Sequence, residues 1–115
     1  MTWDDVRAIA AGLPGTEEGT SHGTPAFRVR RSFLARLRED GETIVAPVSG
    51  PDEREALIEA EPDVYSVTDH YRAYPYVLVS LPTARPEHVA GLLTQAWRTA
   101  APKRVVQAYD AERRS

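Results

Sequence analysis

From Pro86 to Ala100 the apolar residues Val89, Leu92, Leu93, Ala96 and Trp97 recur at helical spacing, and a stripe this broad needs a flat apolar partner to cover it. The partner is predicted upstream, where the apolar period changes to two. Phe27 and Val29 alternate with Arg28 and Arg30, and after a tight turn near Arg31 and Ser32, Phe33, Ala35 and Leu37 alternate with Arg36 and Arg38. Asp40-Gly41 is a turn signal matched to strand twist, and the β-branched run from Thr43 to Val48 supplies a third strand ending near Pro47. Residues 25–48 are therefore expected as an antiparallel meander, with Phe27, Val29, Phe33, Ala35 and Leu37 buried against the 86–100 helix.

The other segments fit around that pair. Thr2 and Asp5 frame a weak capping box for a first helix that buries Val6, Ile9, Ala10 and Leu13 and stops at Pro14-Gly15. Gly15 to Pro25 shows no apolar period and is expected as an extended loop carrying His22. Asp52 to Ala60 has the composition of a short acidic helix packing Ala56, Leu57 and Ala60, Val64 to Val67 that of a short strand, and Tyr76 to Leu81 that of a stronger one. Thr68 to Pro75 forms an aromatic-rich loop, and Pro102 separates the long helix from a last helical piece containing Val105, Val106 and Tyr109. One antiparallel sheet with helices over one face, an α+β domain spanning residues 1–115, is the simplest arrangement that buries these stripes.

Composition narrows the chemistry. The chain has no cysteine, which excludes disulfides, a thiol nucleophile and thiolate metal sites. His22, His70 and His88 lack the spacing of a helix-borne metal site, no glycine-rich phosphate loop is present, and Ser21 beside His22 makes no catalytic pair. No metal or cofactor is expected, and an enzyme ranks last among the readings of this chain. Without a long apolar run or a signal-like start, the expectation is a cytoplasmic protein with no membrane partner.

Charge is segregated although the net value is only −3. Residues 25–38 carry Arg28, Arg30, Arg31, Arg36 and Arg38 without an acid, whereas from 39 to 70 acids surround a single base, Arg54. The arginine-studded hairpin is a candidate phosphate-binding wing, set against the plainer alternative of a solvated face paired with the neighbouring acids. A second candidate is a pocket where His22, Tyr74, Lys103 and Arg104 converge on an anionic or planar ligand, the alternative being that His22 merely anchors its loop.

Ser21-His22-Gly23-Thr24-Pro25-Ala26-Phe27-Arg28-Val29, followed by Phe33-Leu34-Ala35-Arg36-Leu37, resembles the MmcQ/YjbR-like family. Tyr74-Pro75-Tyr76-Val77 matches its aromatic turn into the last strand, and Ala96-Trp97-Arg98 with Ala101-Pro102-Lys103-Arg104 matches its C-terminal helix, so the likeness runs from residue 3 to 110. Many members carry Gly-Lys at the hairpin turn and Gly-Trp before the last strand, where this chain has Arg31-Ser32 and Tyr74-Pro75-Tyr76. The resemblance implies a two-layer α/β sandwich of the secretion-chaperone type and, from the label such proteins commonly carry, DNA binding. A small anionic ligand or a protein is the alternative partner.

Overall fold

The computed structural model describes residues 1–114. Six strands form one antiparallel sheet in the order β1-β2-β3-β4-β6-β5: β1 is Thr16–Ser21, β2 Thr24–Val29, β3 Ser32–Leu37, β4 Thr43–Pro47, β5 Tyr65–Ser66 and β6 Tyr76–Ser80. Five helices complete the fold: α1 (Trp3–Ala11), α2 (Pro51–Ala60), the single turn α3 (Asp69–Arg72), α4 (Pro86–Ala100) and α5 (Lys103–Arg114). The expected α+β class and meander are present. Among the described residues no helix is long and apolar enough to cross a membrane.

Strand pleating sorts the side chains into two faces. Phe27, Val29, Ala35, Ile44, Ala46, Val77 and Val79 join Val6, Leu93 and Trp97 in the core beneath α1 and α4. The opposite face carries a cross-strand row of Ala26, Arg36, Val45 and Leu78, all buried. Burying that second face takes little covering structure: α3 and the aromatic residues around it lie over part of it.

Three expectations change. The stretch expected as a loop before Pro25 contains β1, an edge strand of polar, mostly exposed residues held by its backbone ladder with β2 and by Glu18, which accepts from Arg7 and the Trp3 indole of α1. Glu17 and Glu18 on this edge discourage pairing with another chain. Secondly, the pairing shifts between Phe27 and Arg28, and the resulting β-bulge inserts Leu34 into β3. Leu34 therefore enters the core while Phe33 turns to the other face, against Tyr76 at 5.3 Å between ring centres. Thirdly, Ala56 and Ala60 of α2 are exposed, and Leu57 with Ile58 makes its partial apolar contact.

Trp97 and Pro102 together explain how the C-terminal helices dock. Pro102 breaks the helix, α5 folds back so that Tyr109 lies 4.8 Å from Trp97, and Arg98 grips Asp110 through two hydrogen bonds of 2.9 and 2.7 Å. Those bonds hold the Asp110 carboxyl below the usual aspartate range. A carboxyl lowered on folding stabilises the fold above its unfolded pKa, and that contribution disappears as pH falls through the folded value. Acidification below about pH 4 is thus expected to loosen α5 before the sheet, seen as early loss of Tyr109 contacts by NMR. Asp110→Asn should start loosened and show no such transition; an equal response of both proteins would refute the clasp.

Candidate functional site

A hairpin tip and a helical turn meet over the sheet face that lacks α1 and α4. Ser21 pairs with Thr24, so His22-Gly23 is a tight turn, and its φ values of 55° and 81° are both positive as a type I′ turn requires. His22 is thus neither a loop residue nor a loop anchor: the turn holds its exposed imidazole at the tip. On the other side, Thr68 starts α3 and the chain then turns through Tyr74 into β6.

Between them lies a cavity of about 420 Å³ lined by Ser21, His22, Arg28, Phe33, Arg36, Val45, His70, Tyr71, Tyr74 and Tyr76. Its aromatic wall is continuous. Tyr74 and Tyr76 stack with ring centres 6.0 Å apart and planes 14° from parallel, Tyr71 meets Tyr76 at 6.3 Å, and His70 meets Tyr71 edge-on at 4.8 Å. Tyr74 is 51% exposed, so about half of this residue is open to solvent at the cavity's edge.

The arginines of the hairpin occupy different environments. Arg36 is 7% exposed and donates to Thr24 Oγ1 (3.1 Å), Glu39 Oε1 (3.3 Å) and the Tyr71 hydroxyl (2.8 Å). Burial disfavours its charge, but Tyr71 and Glu39 outweigh that penalty and its pKa lies above the ordinary arginine value. Arg28 shares the cavity and is exposed; Arg30, with φ of 56°, and Arg31 are exposed at the hairpin turn; Arg38 is half-buried beside the charges of Glu39 and Asp40. His22 and Tyr74 therefore come together around one cavity, joined by Arg28 and Arg36, while Lys103 and Arg104 open α5 and lie outside its lining.

A family model described as YjbR matches residues 11–99, which include this entire cavity. The chain belongs to the YjbR family. Uncharacterised proteins of Mycobacterium tuberculosis and Mycobacterium bovis are 37% identical to it over an alignment that covers 94% of this chain and 95% of theirs. A methionyl-tRNA formyltransferase of Methylococcus capsulatus is 32% identical over 111 residues, which span 90% of this chain but 36% of that protein. The crystal structure of a Deinococcus radiodurans protein with a DUF419 domain has the same fold, with a TM-score of 0.73, 22% identity, and coverage of 95% of this chain and 88% of that one.

Within this YjbR-family fold, sequence reasoning took the 70–76 segment, His70 included, into the pocket but missed Phe33, and it did not single out Arg54, whose guanidinium bonds the carbonyls of Arg72, Tyr74 and Tyr76. The density of tyrosines from 65 to 76 was the available signal for the wall. Nothing in the sequence pattern marked Phe33, because the bulge reverses the side its alternation predicts.

Proposed function

We propose that this cavity binds a small anionic ligand bearing a flat ring, of the nucleotide type. The observation that carries the proposal is the joining of an exposed guanidinium, Arg28, and the imidazoles of His22 and His70 to the half-exposed Tyr74 in one cavity of about 420 Å³. A cavity of this size suits a small ligand, the Arg28 guanidinium and the imidazole N–H groups suit phosphate, and Tyr74 suits stacking. Arg36, already bonded to Glu39 and Tyr71, contributes a fixed positive floor more than a free hand.

The test is a titration with adenosine monophosphate followed by amide chemical shifts. Changes are expected at Ser21, His22, Arg28 and Tyr74, and Arg28→Ala and Tyr74→Ala should each weaken binding by about tenfold, the equivalent of one lost charged or stacking contact. His22→Asn is the informative histidine variant, since asparagine tolerates the positive φ and keeps the turn whereas alanine would strain it. It should retain full thermal stability and bind more weakly. Shifts confined to other surfaces, or none up to millimolar ligand, would end the proposal.

Nucleic acid is the second reading, favoured by the exposed Arg28, Arg30 and Arg31 at one end of the sheet and by a relative whose name links it to methionyl-tRNA. Contact with duplex phosphates would make binding fall with about the 0.9 power of salt for each phosphate neutralised. Absence of duplex binding at low salt and tens of micromolar protein would exclude it.

A further inference from the structure

Arg54 is the one base of the acidic segment that forms α2, and it is 3% exposed. Its partners are backbone oxygens: it donates from Nη1 to the carbonyls of Tyr74 (2.7 Å) and Tyr76 (3.2 Å), and from Nη2 to that of Arg72 (3.1 Å). Two of these carbonyls have a reason to need a donor, and the third, that of Tyr74, takes Arg54 as a second donor beside the Tyr76 amide at 2.8 Å. Arg72 ends α3, where helical carbonyls have no partner further along the chain. Tyr76 opens β6, but β5 pairs only with Leu78 and Val79, so no ladder donor reaches Tyr76 from that side. Tyr74 lies in the turn between these elements. One planar guanidinium with several fixed donors satisfies all three at once, which a lysine ammonium cannot match in geometry.

The segment so held has two sides. Tyr74 and Tyr76 line the cavity, whereas Pro75 between them lines a neighbouring trough between β4 and α4 that shares Phe33 with the cavity. Tyr71 is fastened independently by the guanidinium of Arg36. We infer that Arg54 is the positioning residue of the cavity's aromatic wall: it sets the backbone from Arg72 to Tyr76 and thereby the stack of Tyr74 on Tyr76, touching no ligand itself. The inference rests on the ligand-binding reading of the cavity for its consequence, but the positioning is measurable without any ligand.

Two variants test it. Arg54→Lys keeps the charge and loses the fork, while Arg54→Met keeps much of the volume and loses both. In the ligand-free protein, the amides of Tyr74, bonded to the Tyr71 carbonyl, and Tyr76, bonded to the Tyr74 carbonyl, should exchange at least about tenfold faster in Arg54→Lys, with Val79 unchanged, because opening is local. Ring-to-ring NOEs between Tyr74 and Tyr76 should weaken in Arg54→Lys and vanish in Arg54→Met, and adenosine monophosphate should bind more weakly in the same order. Should Arg54→Met fail to fold, the exchange and NOE measurements on Arg54→Lys decide alone. Unchanged exchange and NOEs in Arg54→Lys would overturn the inference. If the wall loosens but wild-type protein does not bind the nucleotide, Arg54 keeps its role and the nucleotide reading is the one that fails.

Discussion

Trp97→Ala is expected to lower stability by about 3–5 kcal/mol, a large part of the 5–15 kcal/mol typical of a domain this size. Trp97 is fully buried in α4 beneath the sheet, and its ring also seats Tyr109 of α5. Its indole Nε1 donates to the Pro14 carbonyl at 2.8 Å, across 83 residues of sequence, so α4 is tied to the exit of α1. Truncation leaves a cavity, strips α5 of its contact and leaves that carbonyl without its donor, three losses that point the same way. Trp97→Phe separates them: it restores most of the area and should cost about 1–3 kcal/mol through the lost bond and residual void. Urea unfolding would show both as midpoint shifts at constant slope. A loss below about 1 kcal/mol for Trp97→Ala would contradict the packing of α4 described above.

How far the chain disclosed itself depended on whether an element leaves an apolar trace. The stripe on α4 and the turn at Asp40-Gly41 were legible because burial demands a period and a positive φ demands glycine, here with φ of 72°. Asp40 adds its carboxylate to the amides of Glu42 and Thr43, which fixes that turn. β1 was not legible. Its residues Thr16–Ser21 are held by backbone hydrogen bonds that any sequence can make and by Glu18 on Arg7 and Trp3, a pairing no local pattern announces, and its side chains bury almost nothing. Arg54 was hidden for a related reason: carbonyl oxygens have no letter in the sequence, so a cation that pairs with them looks like a stray charge on an acidic helix.

The candidate site was half legible, in a way the pleat explains. The arginine wing and the His22 pocket were expected as separate features, yet Arg28 and Arg36 face the same side of the sheet as Tyr76, and the β1-β2 turn brings His22 to that side. One surface thus joins parts of both. Lys103 and Arg104 do not share it because α5 folds back onto Trp97, on the helical side of the sheet.

The bulge in β3 makes the sharpest prediction about neighbouring residues. Simple alternation puts Phe33 in the core, where Phe33→Ala would cost about 3–5 kcal/mol. With the extra residue in place, Leu34 is 2% exposed among the core residues, and Phe33 is half-buried on the cavity side. Leu34→Ala should therefore cost about 2–5 kcal/mol, since close packing around a leucine relaxes only partly to fill the space left. Phe33→Ala should cost only about 1–2 kcal/mol, from partial burial and one aromatic contact with Tyr76. The two also differ in what else they disturb. Leu34→Ala leaves the cavity lining intact and should not change nucleotide binding by the folded fraction, whereas Phe33→Ala removes part of the floor on which Tyr76 rests and should weaken it. Paired urea titrations of the two variants decide the register: if Phe33→Ala proves the more destabilising, the bulge is misplaced and the strand follows plain alternation after all.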